Sequence, residues 1–310
     1  LMKLFKPKFW SRKNSLISSF LLPVSFLLQL LIILKNKFCK KEKFSIPVIC
    51  VGNIYLGGTG KTPLSIEIVK ILKKIKKRGA IIKKFYKEHA DEFKLIISSE
   101  VQLFTNPSRS LAIKEAEANK VDCVVLDDGL QDYSIVKDLN IVCFNEEQLI
   151  GNGRTLPSGP LREPFSSLKN SQIIVINGNK NLDFEDEIKK VSNNASIYYS
   201  RYLPINLDKF INHNLLAFAG IGNNENFFKL LQRNNLKITK KIFFPDHYNY
   251  SLKDLNELID LSLKNNLKLI TTKKDFFRIN HYDLNQFDYL DIKLVINNQD
   301  KFEKEIITCL

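Results

Sequence analysis

Gly57-Gly58-Thr59-Gly60-Lys61-Thr62 follows the apolar run Ile46-Pro47-Val48-Ile49-Cys50-Val51 and opens a helical pattern. A strand that feeds a glycine-rich turn into a helix makes an anion site. Its backbone N–H groups curl around a phosphate, and the helix N-terminus adds its positive end. Lys61 can reach the outer phosphates, and the Thr62 hydroxyl can sit on Mg²⁺. The stretch Tyr55, Leu56, Gly57, Gly58, Thr59, Gly60, Lys61 and Thr62 is therefore expected to bind a nucleoside triphosphate, with ATP and Mg²⁺ as the pair implied. Tyr55 stands where the usual P-loop has its first glycine. A chance glycine cluster in a surface turn is the competing reading, and the strand–turn–helix context speaks against it. Leu64, Ile68, Ile71, Leu72 and Ile75 recur at helical spacing, and Pro63 falls in the first turn, where proline is tolerated.

Downstream, Val121 to Leu126 is a short apolar run ending in Asp127-Asp128-Gly129. A hydrophobic strand that delivers carboxylates beside a P-loop helps hold Mg²⁺, which makes Asp127 and Asp128 candidate metal residues with Thr62. A plain Asp-Asp-Gly turn is the bland alternative. Ser108 to Asn119 has a helical pattern, and Asn140–Phe144 and Ser171–Asn177 are strand-like. The alternation predicts a mostly parallel α/β sheet. Between those strands, Gly151 to Pro164 is dense in glycine and proline and carries Arg154 and Arg162. Arg162 could neutralise transferring phosphoryl charge, and an exposed structural arginine competes with that role. From residue 215 onward a strand–helix–strand–helix–strand pattern predicts a second, smaller α/β lobe closing the active-site cleft, with Asp183–Asn214 as a polar connection. The expected division is residues 1–43, 44–182 and 183–310.

The 310 residues carry 47 basic and 33 acidic side chains, a net charge of +14. Such a surplus points to an anionic partner. The clustering of lysines near the N-terminus and over Lys70–Lys87 favours a membrane surface or a phosphorylated substrate, and no nucleic acid is expected. Five scattered cysteines without C-x-x-C spacing predict reduced thiols, not disulfides or a zinc site. Ser15 to Leu34 contains no charged residue and is long enough in principle to cross a bilayer. Pro23, Gln29 and several serines dilute it, and both flanks are equally basic, without the one-sided Lys/Arg bias of a span. An interfacial helix or helical hairpin, monotopic on the membrane, is the expectation; a buried core helix is the alternative. No small-residue cleavage site follows, so a cleaved signal peptide is not expected.

With these blocks in order, the chain resembles the tetraacyldisaccharide 4′-kinases. The resemblance rests on the N-terminal apolar helix, Val51-Gly52-Asn53 with the glycine loop, and Asp127-Asp128-Gly129-Leu130-Gln131. The Gly151–Pro164 block, Phe218–Asn223, Phe244-Pro245-Asp246-His247-Tyr248 and Thr271-Thr272-Lys273-Lys274-Asp275 complete it. It implies transfer of the ATP γ-phosphoryl group to the 4′-hydroxyl of a lipid disaccharide 1-phosphate, a step of lipid A biosynthesis that gives lipid IVA. The place implied is the cytoplasmic face of the inner membrane of a Gram-negative bacterium, with the protein peripheral or monotopic. It also implies that Asp91 and His247 deprotonate the acceptor, and that Tyr86, Arg109, Gln131, Arg162 and Glu163 surround substrate and nucleotide. From the residues alone, His247 could equally be a polar residue preceding the helix start Ser251-x-x-Asp254.

The sequence departs from the family where Lys83-Lys84-Phe85-Tyr86 replaces Ser-Arg-Gly-Tyr. The stretch Lys87–Ala90 is short, Ala90 and Phe93 flank the acidic pair, and Asp132 replaces a histidine. A catalytically impaired relic is therefore one rival reading. A ParA-like assembly ATPase is another, although Leu56 stands where those proteins carry a signature lysine.

Overall fold

The computed structural model describes residues 7–86 and 90–310. The basic residues Lys3 and Lys6 and the stretch 87–89 lie outside the described residues. In chain order the elements are α1 (Leu16–Phe20), α2 (Leu22–Phe38), β1 (Val48–Gly52), α3 (Lys61–Lys74), β2 (Gly79–Lys84), α4 (Ala90–Ile97), β3 (Gln102–Asn106) and α5 (Arg109–Ala118). Then come β4 (Cys123–Asp127), β5 (Leu139–Asn145), β6 (Ile173–Asn177), α6 (Leu182–Val191), β7 (Ser196–Pro204) and β8 (Asn214–Ala219). The chain ends with α7 (Asn224–Arg233), β9 (Lys237–Phe243), α8 (Leu252–Lys264), β10 (Lys268–Thr272), α9 (Lys273–Ile279), β11 (Phe287–Leu290), β12 (Ile292–Ile296) and α10 (Gln299–Ile307).

One sheet has the strand order β12-β7-β6-β5-β1-β4-β2-β3 and is parallel from β7 to β3. Parallel strands covered on both faces need unbroken apolar runs. Accordingly, Val48–Val51 and Cys123–Leu126 are buried throughout. The register pairs Val51 with Asp127, so the turn after β1 and the carboxylates after β4 emerge side by side at the carboxyl edge. Gly52 allows this closeness: a Cβ there would stand 2.5 Å from Cβ of Leu130. The second sheet, β11-β10-β8-β9, is parallel throughout. Its core has Phe218 in edge-to-face contact with Phe244, Tyr250 and Phe287.

The chain forms two compact units. Of the described residues, one contains 86, 90–99 and 202–294; the other contains 7–85, 100–201 and 295–310. The cut therefore falls at 201/202 and not at 182/183. Asp183–Asn214 is not a polar connection: α6 and β7 occupy most of it and extend the large sheet. α6 buries Phe184 and Ile188 one turn apart, while β7 alternates buried Tyr198 and Ser200 with more exposed residues. So much polar surface on a strand one place in from the sheet edge hides its periodicity from a hydropathy reading.

The N-terminal apolar stretch is two helices broken at Leu21, with Pro23 in the first turn of the second. Among the described residues no helix is long and apolar enough to cross a membrane. Its polarity is inverted. Leu16, Phe20 and Phe26 are 91%, 85% and 74% exposed, whereas Ser18 and Ser25 are buried. The alternative of a buried core helix is therefore corrected, because the serines and not the leucines face the protein. Ser18 Oγ donates to the Ser158 carbonyl at 2.6 Å and accepts from Asn152 and Arg154. Ser25 Oγ donates to the Thr155 carbonyl, and Gln29 Nε2 to that of Arg162. All five cysteines are free thiols, and burial pushes Cys50 up to about 11 and Cys143 up to about 12.

Candidate active site

In the larger unit the turn after β1 is fixed from several sides. Asn53 Nδ2 donates to the Gly57 carbonyl (3.0 Å) and to Thr59 Oγ1 (3.1 Å), both bonds closing over the loop. Tyr55 bridges Leu161, Leu56 N–H donates to the Pro160 carbonyl, and Arg162 N–H donates to that of Ile54. Tyr55 and Leu56 thus anchor the loop to the Gly/Pro block through backbone. Gly60 sits at φ 92° as the residue before α3, a conformation that favours glycine. A Cβ on Gly58 would meet nothing within 4 Å, so the loop is open there.

At the start of α3, Thr62 Oγ1 donates to Asp127 Oδ2 at 2.9 Å, and Lys83 Nζ at the end of β2 pairs with the same oxygen. Asp127 is fully buried. Asp128, at φ 59°, faces Lys61 Nζ (3.5 Å) and Arg162 Nη1 (3.0 Å). Burial works to raise the Asp128 pKa, yet Lys61, Arg162 and Lys83 outweigh it and hold the carboxyl down at about 2. Arg109 Nη2 donates to the Asp128 carbonyl and Nη1 to Asp132 Oδ2, so Asp132 has an ionic partner where the family histidine is lost. Gln131 joins Arg162 to Glu163: its Nε2 donates to Glu163 Oε1 at 2.8 Å, and its Oε1 accepts from Arg162. Arg109, Gln131, Arg162 and Glu163 are thus brought into one network with Asp128. Tyr86 stands exposed two residues beyond β2.

A divalent cation fits this donor set. Mg²⁺ takes hard oxygen ligands, keeps several waters, and binds through one or two carboxylates plus phosphates. The Thr62 hydroxyl and the Asp127 and Asp128 carboxylates are such oxygens. Among the described residues no cluster of three or more acidic, His or Cys side chains forms a closed cage. A groove of about 350 Å³, lined by Leu28, Gln29, Ile32, Gln131, Leu156 and Arg162, runs between α2 and the Arg162 cation.

In the smaller unit, α4 carries Asp91 to His247. His247 follows β9 at φ 54°, and its N–H donates to the Gly220 carbonyl. Helix α8 is capped by Ser251 and Asp254, so His247 is not the cap. Its Nδ1 lies 3.9 Å from Asp91 Oδ1, close but beyond a hydrogen bond. Burial lowers the His247 pKa first of all; Asp246 raises it, Lys274 and Arg278 lower it, and Asp91 raises it. Arg278 on α9 donates to Asp91 Oδ2 from Nε (3.1 Å) and from Nη2 (2.6 Å). Lys274 pairs with Glu92, and Lys94 Nζ donates to the Phe277 carbonyl, so α4 is bonded to α9 along its length.

Sequence reasoning missed Lys83 and Arg278. Lys83 is one of many lysines, and only its place at the end of an apolar strand beside β4 marks it. Arg278 could have been suspected from its i+3 spacing to Asp275, the last residue of a recognised block.

The family model for tetraacyldisaccharide-1-P 4′-kinase matches residues 17–103 and 91–310. The chain belongs to that family. A tetraacyldisaccharide 4′-kinase of Pelagibacter ubique is 44% identical over 99% of this chain and 98% of that protein. One of Rickettsia akari is 32% identical over 99% and 98%. Among solved structures, LpxK from Aquifex aeolicus in complex with ATP superposes with a TM-score of 0.75 at 26% identity, covering 95% of this chain and 99% of that one. Membership in the tetraacyldisaccharide-1-P 4′-kinases sets aside the assembly-ATPase reading.

Proposed function

We propose that this chain transfers the γ-phosphoryl group of ATP to the 4′-hydroxyl of a tetraacyldisaccharide 1-phosphate, giving lipid IVA. The observation that carries the reading is the bond from Thr62 to Asp127 at the mouth of α3, on a chain that matches 4′-kinases from end to end. The glycine loop and Lys61 hold the triphosphate. Thr62 with Asp127 or Asp128 would hold Mg²⁺, which when bound neutralises charge on the phosphoryl oxygens. Arg162 and Lys61 are charge-matched to the transferring group, each now neutralised by Asp128. Asp91 with His247 activates the sugar hydroxyl: the carboxylate takes its proton beside an imidazole that burial keeps neutral.

The lipid substrate is met at a membrane surface, the cytoplasmic face of the inner membrane, with the protein held peripherally or monotopically. Support comes from the outward apolar face of α1 and α2, framed by Lys8, Arg12, Lys13, Lys35, Lys37, Lys40, Lys41 and Lys43. The apolar groove beside Arg162 suits an acyl chain whose headgroup carries phosphate. The relic reading loses its motive where Asp91 keeps its approach to His247 despite the shortened segment before it.

The test is direct. Purified protein given labelled ATP and the tetraacyldisaccharide 1-phosphate should form bis-phosphorylated lipid, and Lys61→Ala should abolish it. Absence of lipid phosphorylation in the folded wild type, with nucleotide still bound, would favour the relic.

A further inference from the structure

We propose that Arg278 is the positioning residue of the Asp91–His247 pair, an assignment that rests on the kinase reading given above. A guanidinium has five N–H donors in a rigid fork and no acceptor. Here that fork is almost fully used. Nε and Nη2 donate to Asp91 Oδ2, and Nη1 donates to the Gly220 carbonyl (2.6 Å) and to Asp275 Oδ1 (2.7 Å). Nη2 also faces His247 Nδ1 at 3.3 Å. The Arg278 side chain is 10% exposed, Asp91 2% and Asp275 0%.

The fork is itself held. Asp275 Oδ2 accepts from the Gly220 N–H and from Thr272 Oγ1, and Oδ1 accepts from Tyr250 Oη. Gly220 also accepts the His247 N–H, so one glycine ties the histidine backbone to the arginine that faces its ring. A Cβ on Gly220 would stand 2.9 Å from Tyr250 Oη, leaving no room for another residue without a shift.

Two consequences follow from the geometry. Both guanidinium bonds to Asp91 fall on Oδ2, which turns Oδ1 toward the imidazole. Because arginine only donates, the Nδ1 it faces is the unprotonated nitrogen of the neutral ring, and the proton sits on Nε2. Arg278 therefore fixes both the direction of the carboxylate and the tautomer of the histidine. It touches no reacting atom.

The measurement is ¹⁵N-edited NMR of the histidines in the full chain held in detergent micelles, beside steady-state kinetics. Wild-type His247 should be a single Nε2–H tautomer with a depressed pKa. Among the described residues, charged groups facing it are Asp246, Lys274, Arg278 and Asp91. In Arg278→Met a cation that lowers the pKa is gone, so the pKa should rise and the tautomers should mix. Its kcat should fall roughly 10²-fold, as expected for misplaced catalytic groups. KM for ATP should stay within about twofold, since the glycine loop is untouched. Arg278→Lys keeps the charge without the fork and should recover part of kcat; it also serves if the Met variant does not fold. An unchanged His247 tautomer and titration in the folded variants would overturn the assignment. The NMR arm needs no turnover, so a wild type without kinase activity would sink the kinase reading and leave this test standing.

Discussion

Asp128 shows how three cations can govern one carboxyl. Its folded pKa of about 2 lies below the ordinary value of 3.8, so its stabilising effect is complete above that value and is lost as pH falls through 2. Asp128→Asn should therefore be less stable than wild type at neutral pH. The gap in thermal midpoint should close as pH drops from about 5 to about 2. A gap that stays constant over that window would show that Lys61 and Arg162 do not pair with this carboxyl. The place of the two aspartates beside the glycine loop was legible in the sequence, because an apolar strand ends in them downstream of that loop. Lys83 was not: its role depends on β2 lying beside β4, which no local pattern announces. Arg278 was hidden for the same reason, since Asp91 reaches it across 187 positions of chain.

At the scale of elements, α1 and α2 reverse the usual rule for an amphipathic helix. Ser18 and Ser25 are the packed residues, so a gain of hydropathy there should destabilise. Ser18→Val would remove the buried hydroxyl that bonds the Ser158 carbonyl, Asn152 and Arg154. A typical intramolecular hydrogen bond contributes about 0.5–1.5 kcal/mol to stability. Ile33→Ser, at a 61% exposed position, should change stability by no more than about 0.5 kcal/mol. Urea midpoints in detergent would check both, and a more stable Ser18→Val would refute the seating. The apolar run itself was plain in the sequence. Which face it turns inward was not, because its serines read only as dilution. The strands β1, β4, β5 and β6 were legible as near-continuous apolar runs, the mark of a parallel sheet covered on both faces. β7 was missed because its buried residues include Tyr198 and Ser200.

At the scale of the whole molecule, the net charge of +14 and the outward apolar helices point to the same kind of surface. The protein should co-sediment with vesicles containing anionic phospholipid and much less with neutral ones, and salt should weaken the difference. Removing residues 1–36 should leave it in the supernatant. Sedimentation unchanged by that deletion would place the lipid contact elsewhere. The order of blocks along the chain was enough to assign a family, since each block is short and fixed by chemistry. The division into units was not legible, because residues 90–99 join a unit whose other described residues lie mostly beyond 202.

In plain buffer, and among the described residues, the exposed leucines and phenylalanines of α1 and α2 are covered by little except each other. Molecules prepared without an amphiphile should stick together through this greasy strip, at a stoichiometry that drifts with concentration and vanishes on adding detergent. On the membrane reading proposed above, a dimer or larger particle seen only under those conditions would report the missing amphiphile.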